Sequence, residues 1–350
     1  MAADTVGAAA ESAAARVLAE FEQARASGRR LLARGSGLRI GSAAADWRVV
    51  SMRETAGVRR HHPEDLTVEV GAGTTLLELD RYLEPFGQWF PVGIPDGGDD
   101  TVGGVVGAGL LGVESGYGPV RDRLLGLVAV TPAFGVVRLG ASVVKSVAGY
   151  NMPRLFWGSR GAFGVILAVT LKLAPRPRAP MRTAIRPVDL NDWPTWHPPV
   201  IGVLDAGWPE ATAVVRTEDG TATLHLKAAE DALDALGFSS DLVPDGWPTL
   251  RGRIRAQGRL RDEEMPTVLE HWRRKGVEGV VDLRSAVFSM TAHAGLDEVL
   301  GTYAPQTRRL GDPPGVLSVP PALYPPLARF KASVDPEGLL MPLVAAGGGT

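Results

Sequence analysis

The apolar pattern in the first half of the chain predicts a helix followed by mixed strands and helices. Residues 11–26 repeat apolar positions at helical spacing, which predicts an amphipathic helix. The run LTVEVGAG followed by TTLLELDRYLEPFG predicts a strand, a turn and a helix, with Thr74 or Thr75 as the N-cap. Apolar runs bounded by turn residues predict further strands at WRVVSM, LLGLVAVT, GVVRLG and GVILAVTLKLAP.

The second half follows a different pattern. Strict alternation in TAVVRTEDGTATLHLKA, around an acidic turn that ends at Gly220, predicts a β-hairpin. Helices are predicted at AAEDALDALGF and MPTVLEHWRRKG, a strand at RGRIRAQGRL and a strand pair in VEGVVDLRSAVFSM. The segment LARFKASVDPEGLLMP predicts a helix, an Asp-Pro turn and an extended exit. This order indicates an antiparallel sheet that helices cover on one face.

A cluster of prolines between residues 175 and 199 marks the boundary between these halves. The length of 350 residues also exceeds that of a usual single core. We therefore predict an α+β protein with a first domain over 1–178 and a Pro-rich linker over 179–199. An α+β cap over 200–325 would provide a substrate or interface surface, and a tail over 326–350 would return to the first domain.

Composition and charge exclude several classes of function. The net charge of −2 gives no electrostatic reason to expect nucleic acid or a membrane surface as a partner. The absence of cysteine excludes disulfides, a thiolate nucleophile and a Cys-ligated iron–sulfur cluster in this chain. We find no secretory signal and no run of 18 apolar residues, so we expect a cytoplasmic protein without a membrane span.

Common nucleotide, metal and hydrolase motifs do not fit this sequence. GAGTTL at 71–76 lacks the third glycine of a Rossmann turn and the acidic residue about 20 positions later. GASVVKS at 140–146 lacks the glycine that precedes the lysine of a P-loop. The six histidines show no metal-ligand spacing and there is no GxSxG, so we expect no metal site.

Four glycine-rich segments remain unexplained by those motifs: RGSG at 34–37, TVGGVVGAG at 101–109, GYGPVRD at 116–122 and GSRGAFGV at 158–165. Consecutive N–H groups beside glycines form concave anion sites, and the missing Cβ lets a pyrophosphate approach the backbone. Two such loops from distant parts of the chain can hold one extended dinucleotide. Tight turns of a β-rich domain are the alternative interpretation, and composition alone does not separate the two.

The order of these segments resembles a known family. RGSG, VGAGTTLLEL, TVGGVVGAGL, GYGPVRDRLLGLVAVT, VVKSVAGYN, GSRGAFGVI and LKLAP are together similar to the FAD-binding domain of the vanillyl-alcohol oxidase / p-cresol methylhydroxylase (PCMH) flavoproteins. Within that group, the segments from 116 and from 143 most resemble FAD-binding subunits of glycolate oxidase. The resemblance covers residues 30–178 and the DPEGLLMP tail. It implies a PCMH-type domain of two α+β subdomains followed by a small antiparallel-sheet cap.

The resemblance also implies a cofactor, FAD, and the residues that bind it. The RGSG and TVGG segments would bind its diphosphate through backbone N–H groups, and the other two glycine segments would line the remaining slot. Lys145 would either offset cofactor charge or be a solvated lysine, and Arg121 and Asp122 would form an ion pair that shapes their loop. The implied cofactor-binding residues are Arg34, Gly35, Ser36, Gly37, Leu38, Thr101, Val102, Gly103, Gly104, Gly107, Gly118, Arg121, Asp122, Lys145, Tyr150, Gly158, Gly161, Gly164 and Ile166.

Two departures from the family pattern change this picture. Flavin-linked members often place a histidine just after the first glycine loop, where this chain has Leu38 and Arg39. Since the chain also has no cysteine, we expect FAD to be bound non-covalently. The tail has Met341-Pro342 where the family pattern has Asn-Pro, which leaves its contacts with the cofactor open.

The expected reaction is oxidation of a 2-hydroxy acid such as glycolate, which needs a base and a cationic group for the substrate carboxylate. His293 is a weak candidate for the base, with a structural role as the alternative. Arg251, Arg253 and Arg255 alternate along one predicted strand, as a clamp or as a solvated face. The sequence therefore shows no convincing catalytic pair.

The resemblance implies an FAD-binding subunit of a glycolate-oxidising complex. Its partners would be a second flavoprotein subunit and an iron–sulfur subunit, through which any membrane association would be made. The alternatives are a self-sufficient FAD oxidoreductase for another alcohol or hydroxy acid, and a scaffold that has lost FAD. Four tryptophans would either form the partner interface or pack the core of the cap: Trp193, Trp196, Trp208 and Trp247.

Overall fold

The computed structural model describes residues 2–39, 47–94, 99–113, 115–140, 152–177, 181–207, 209–238, 242–243, 250–251, 253–291, 308–309 and 317–345. The α-helices within these residues are α1 Ala2–Ser27, α2 Leu76–Leu83, α3 Val102–Ala108, α4 Trp193–Ala206, α5 Glu230–Ala235, α6 Met265–Lys275 and α7 Tyr324–Val334.

The strands fall into three groups along the chain. Those of the first half are β1 Arg30–Arg34, β2 Trp47–Ser51, β3 Val58–His62, β4 Thr67–Gly71, β5 Gln88–Trp89, β6 Leu124–Thr131, β7 Gly135–Gly140, β8 Val165–Lys172 and β9 Ala174–Pro175. Those of the second half are β10 Met181–Pro187, β11 Thr212–Glu218, β12 Thr221–Ala229, β13 Leu242–Val243, β14 Ala256–Arg259, β15 Gly279–Asp282, β16 Val287–Met290 and β17 Arg308–Arg309. The tail contributes β18 Leu317–Val319 and β19 Leu343–Ala345.

The described part of the first domain contains three sheets, the smallest of which is the antiparallel pair of β5 and β9. Strands β1 and β2 pair in parallel, and an antiparallel sheet has the order β3-β4-β8-β6-β7. The central strands β6 and β8 are buried on both faces. On β6, Leu127 belongs to the core beneath α2 and α3, while Val128 belongs to the core beneath α1. Burial of both faces explains why these two strands appear in the sequence as continuous apolar runs without alternation.

The second domain is an antiparallel sheet of order β13-β10-β12-β11-β15-β16-β14-β17. Helices α4, α5 and α6 pack on one face, where Leu204, Leu269 and Trp272 join the apolar strand residues in one core. The predicted hairpin is present as β11 and β12, with Val215 opposite Leu224. The predicted fold class, a PCMH-type α+β domain followed by an antiparallel-sheet cap, agrees with this architecture.

The predicted Pro-rich linker over 179–199 is wrong in its extent. Strand β10 occupies 181–187 and pairs with β12, and helix α4 begins at Trp193. Pro187 ends β10 beyond its short pairing with β13, and Pro194 lies in the first turn of α4, where proline is tolerated. Pro198 and Pro199 of the same cluster lie inside α4. Proline density therefore misled the prediction, and the second domain begins near 181 rather than 200.

The strand predicted at RGRIRAQGRL is also shorter than expected, since only residues 256–259 form β14. Arg251, Arg253 and Arg255 therefore precede the strand. Arg251 forms ion pairs with Glu218 and Asp219, in keeping with a solvated surface rather than a substrate clamp.

Gln257 joins the two domains. Its side chain is only 1% exposed, and its amide exchanges two hydrogen bonds of 3.0 Å with the backbone N–H and carbonyl of Leu111. The same amide donates to Ser289 Oγ at 2.8 Å. Leu111 lies just after α3, so this side chain docks the second sheet against the glycine-rich part of the first domain.

The C-terminal tail packs against the first domain. The Leu31 N–H donates to the Leu339 carbonyl at 2.7 Å, and Leu339 and Leu340 belong to the core beneath α1. Trp193 and Trp196 pack partly buried against the core of the second domain, while Trp208 and Trp247 lie outside the described residues. None of the described helices has the length and apolar character needed to cross a membrane.

We predict that Gln257→Leu destabilises the chain by about 1–3 kcal/mol, because it removes the partners of two backbone groups of Leu111 at a domain interface. Thermal denaturation followed by circular dichroism would show a melting temperature several degrees lower. Ser289→Ala is the matched control, since it removes one hydrogen bond of Gln257 and leaves the contact with Leu111. Equal melting temperatures for Gln257→Leu and the wild type would contradict this docking role.

Candidate functional site

A cleft of about 890 Å³, partly open to solvent, lies between the loop after β1, helix α3, the loop before β8 and the tail. Within the described residues, its whole lining comes from the first domain and the tail. The lining residues are Leu32, Ala33, Gly35, Ser36, Gly37, Leu38, Arg39, Met52, Ala72, Asp100, Thr101, Gly103, Gly104, Gly107, Ala108, Arg160, Gly161, Gly164, Ile166 and Met341.

The RGSG loop follows directly from β1 and presents its backbone to the cleft. Within the described part of the chain, the N–H groups of Gly35, Ser36 and Gly37 donate to no protein acceptor. Such consecutive donors beside a partly buried cleft suit an anionic ligand. The backbone of this loop therefore has the geometry of a concave anion site.

Two contacts fix this loop against the segment that precedes α3. A Cβ on Gly35 would lie 2.1 Å from Thr101 Oγ1, so the close approach of these two segments requires glycine. The guanidinium of Arg39 forms a forked pair with the carboxylate of Asp100, with Nε 2.9 Å from Oδ1 and the second bond from Nη2 to Oδ2. The side chains of this pair are 4% and 1% exposed.

The TVGG segment is the start of a helix, and its N–H groups are engaged within the protein. Thr101 is the N-cap of α3 and accepts from the Gly104 N–H at 3.1 Å, while the Gly103 N–H donates to the Ala72 carbonyl at 2.8 Å. The predicted binding of a diphosphate through these two N–H groups therefore needs correction. A Cβ on Gly103 would lie 2.7 Å from the Ala72 Cβ, so this glycine permits close packing of the helix.

Gly104 and Gly107 have a different role. They lie three residues apart on α3 and both line the cleft, whereas Val102, Val105 and Val106 of the same helix are buried in the core. A Cβ on Gly107 would have no neighbour within 4 Å. These two glycines thus leave one face of α3 smooth and open toward the cleft.

The loop before β8 is held on the C-terminal end of α3. The N–H groups of Gly158 and Arg160 donate to the carbonyls of Val106 and Gly107, both at 2.8 Å. These bonds give partners to carbonyls in the last turn of α3, and the Val106 carbonyl also accepts from the Gly109 N–H at 3.1 Å. Gly161, Gly164 and Ile166 line the cleft, while Gly158 does not line it and provides this backbone attachment instead.

Arg160 is a cleft residue that sequence reasoning missed. Its backbone has a φ of 50°, in the left-handed region that costs a non-glycine residue about 1–2 kcal/mol. The available signal was a basic residue between the two glycines of GSRG, at the loop already assigned to the cofactor. Arg160, Arg39 and Asp100 are the charged members of the described lining.

Several predicted residues lie away from the cleft. The backbone of Arg34 belongs to β1, and the side chain of Val102 is fully buried in the core. Gly118, Arg121 and Asp122 do not line the cleft in the described structure. Lys145, Tyr150 and the candidate base His293 lie outside the described residues.

The loop at 116–122 has a structural role in the described part of the protein. Asp122 pairs with Arg154 at 2.7 Å, a shorter contact than the predicted pair with Arg121 at 3.6 Å. The neighbouring Arg123 is buried and donates to the carbonyls of Tyr117, Lys172 and Leu173. Burial lowers the pKa of Arg123 from its ordinary value. This arginine therefore anchors the loop to the end of β8.

The tail reaches the cleft through Met341. The sequence analysis left this contact open because Met341 replaces the expected asparagine, but the side chain is 3% exposed and lines the cleft. The signal available in the sequence was the apolar run GLLMP after the Asp-Pro turn. An apolar side chain at this position can close the cleft without supplying a hydrogen bond.

Comparison with known proteins identifies the first domain. Residues 8–140 match the family described as an FAD binding domain. The chain is 39% identical over 125 residues to glycolate oxidase subunit GlcE of Escherichia coli, a match that covers 35% of this chain and 36% of that protein. It is 35% identical over 117 residues to glycolate oxidase subunit GlcD of Bacillus subtilis, covering 33% and 24%. The predicted resemblance is confirmed, and FAD is the cofactor of this domain.

The chain is also 39% identical over 124 residues to the mitochondrial cytochrome D-lactate dehydrogenase of Arabidopsis thaliana, covering 35% of this chain and 21% of that protein. The aligned segments thus span about a fifth to a third of these curated relatives. A solved structure, alkyldihydroxyacetonephosphate synthase, aligns over 93% of this chain and 74% of its own with a TM-score of 0.62 at 13% identity. That likeness supports the fold of the whole chain, including the cap.

We predict that Gly104→Val abolishes FAD binding while the chain still folds. The added side chain would point into the cleft, and within 4 Å its Cβ would meet only Thr101 Oγ1, at 3.0 Å. Flavins absorb between about 350 and 500 nm, so the absorbance of the purified protein in that range reports flavin content. Circular dichroism reports folding.

Two variants separate this effect from general damage. Gly103→Ala should instead lower the melting temperature, because its Cβ would clash with Ala72. Gly202→Val, on α4 with no neighbour within 4 Å, should keep its flavin. Normal flavin content in Gly104→Val would show that this face of α3 does not border the cofactor.

Proposed function

We propose that this chain is an FAD-binding subunit of a complex that oxidises 2-hydroxy acids such as glycolate. In this role, glycolate is converted to glyoxylate and the electrons pass through FAD to a partner. The observation that carries the proposal is the cleft itself, with N–H donors at 35–37 that have no described protein acceptor and a side-chain-free glycine face at 104 and 107. It lies in and beside the segment that matches the FAD-binding family.

The residues present fit a dinucleotide with an extended, anionic middle. The N–H groups of Gly35, Ser36 and Gly37, together with Arg160, would hold the diphosphate. Gly104 and Gly107 would leave room for the cofactor along α3, and Met341 and Ile166 would supply apolar wall. The described lining contains no histidine and the chain contains no cysteine, which supports non-covalent binding.

The chemistry follows from the cofactor and the substrate class. FAD bound here would supply the hydride acceptor for oxidation of the carbinol carbon to a 2-oxo acid, and a base would be needed to take the hydroxyl proton. The described cleft lining offers no histidine for that base. His293, which lies outside the described residues, keeps its place as the candidate within this chain, and a partner subunit is the other source.

A partner also has to take the electrons onward. With no cysteine, this chain cannot ligate an iron–sulfur cluster through thiolates, so a second flavoprotein subunit and an iron–sulfur subunit are the partners that fit. The names of two relatives as subunits of glycolate oxidase support this assignment. We place the chain in the cytoplasm, with any membrane contact made by the partners.

A second candidate function is a self-sufficient FAD-dependent dehydrogenase. The relatives named D-lactate dehydrogenase favour it, since they include proteins of Arabidopsis thaliana and Anaerostipes hadrus at 39% and 31% identity. In that case the substrate would be D-lactate or another hydroxy acid, and the second domain would enclose it.

We predict that the purified full-length chain is yellow and that acid precipitation releases its flavin into the supernatant. Non-covalent binding is expected because the described cleft lining presents no residue of the kinds that the family uses for linkage. The measurement is the absorbance of pellet and supernatant after trichloroacetic acid treatment. Flavin retained in the washed pellet would contradict the proposed mode of binding, and a colourless protein that takes up no added FAD would contradict the proposal as a whole.

We predict that the chain alone, loaded with FAD, reduces an artificial electron-accepting dye with glycolate at no more than background rate. Addition of a glycolate oxidase flavoprotein subunit and an iron–sulfur subunit should restore turnover. Gly104→Val in the same mixture is the control for flavin in this chain. Full turnover of the isolated chain with glycolate or D-lactate would favour the self-sufficient dehydrogenase instead.

A further inference from the structure

Helix α7 contacts the loop before β8 through two consecutive residues, Phe330 and Lys331. Phe330 packs edge-on against Phe163, with ring centroids 5.2 Å apart. Lys331 Nζ donates to the Ala162 carbonyl at 2.9 Å. Arg160, Gly161 and Gly164 of this same loop line the cleft, so α7 holds one wall of the site without lining it itself.

Asp335, which directly follows α7, holds the tail, a second wall of the cleft. The side chain of Asp335 is fully buried and forms an ion pair with Lys331. Its two carboxylate oxygens also accept from the N–H groups of Leu339 and Leu340, at 2.8 Å and 3.0 Å. The following residue is Met341, whose side chain closes the cleft.

The backbone of the tail also contacts strand β1, which forms a third wall of the cleft. The Leu339 carbonyl accepts from the Leu31 N–H at 2.7 Å, and Leu32 and Ala33 of β1 line the cleft. One buried pair therefore connects the loop before β8, the tail and the strand that leads into the RGSG loop. These three segments are more than 100 residues apart in the sequence.

The energetics of the pair favour a role in geometry. Burying an ion pair costs desolvation free energy, and the attraction between the two charges commonly does no more than balance that cost. A buried pair therefore adds little net stability compared with well-packed apolar residues. Burial lowers the pKa of Lys331, and the neighbouring Asp335 opposes that shift. A pair that adds little stability but binds three segments at fixed distances is suited to setting their relative positions.

We propose that Lys331 and Asp335 are positioning residues for the cofactor cleft, which set FAD affinity although neither lines the cleft. The inference rests on the proposed FAD site and extends it to residues behind that site. Removal of Lys331 would break its contacts with the Ala162 carbonyl and with Asp335. The loop before β8 and the tail, which form two walls of the cleft, would then no longer be held at a fixed distance from each other. Affinity for FAD should fall even in protein that remains folded.

The test is FAD titration of the full-length apo-protein, followed by quenching of flavin fluorescence, with Lys331→Met and Asp335→Asn. We expect the Kd for FAD to rise at least tenfold in both, measured at a temperature where circular dichroism shows the apo-protein fully folded. Lys331→Gln keeps a donor for the Ala162 carbonyl and should show an intermediate loss. Lys275→Met, an exposed lysine at the end of α6, is the matched control and should bind FAD as the wild type does.

The outcomes separate this inference from the proposed function. A lower melting temperature of the apo-protein with an unchanged Kd would assign the pair a purely structural role and overturn the inference. Should Lys331→Met fail to fold, the Kd of Lys331→Gln decides between the two. A wild-type chain that binds no FAD would instead refute the proposed function, whatever the behaviour of the variants.

Discussion

The buried pair of Arg39 and Asp100 is the contact on which the candidate site depends. Its forked hydrogen bonds join the loop after β1 to the segment before α3, and both side chains are buried. Without that junction, the N–H groups of the RGSG loop would have no fixed position relative to α3. Gly35 approaches the Thr101 hydroxyl at the same junction, where no side chain fits between the two segments.

Helix α3, which follows this junction, holds the next part of the site in place. The carbonyls at the C-terminal end of the helix hold the loop before β8, and that loop is in turn held from behind by α7. The tail closes the opposite side through Met341. Each wall is thus fixed by a neighbour from a distant part of the chain, which gives the cleft a defined shape without a single continuous motif.

The two domains divide their tasks in the described structure. The first domain and the tail supply the cleft lining, while the second domain is docked beside the cleft through Gln257 and Leu111. Its sheet has one face covered by helices and the other turned partly toward the first domain, where Val280 joins the first core.

The sequence by itself determined the α+β class, the hairpin of β11 and β12, and an N-cap of α2 at Thr74 or Thr75, of which the structure selects Thr75. It also marked the three glycine-rich segments that line the cleft, together with a fourth at 116–122 that does not line it in the described structure. These follow from local periodicity, capping chemistry and the absence of a side chain, all of which a short segment carries within itself. The boundary near 181 was misplaced, because prolines at a strand end and a helix start look the same in sequence as prolines of a linker. Only the tertiary structure decided which glycine N–H groups remain available, since those of Gly103 and Gly104 are taken by Ala72 and Thr101 while those of the RGSG loop are not. It also decided that Arg39, Arg160 and Met341 meet at one cleft, because their neighbours are set by long-range packing and not by spacing along the chain.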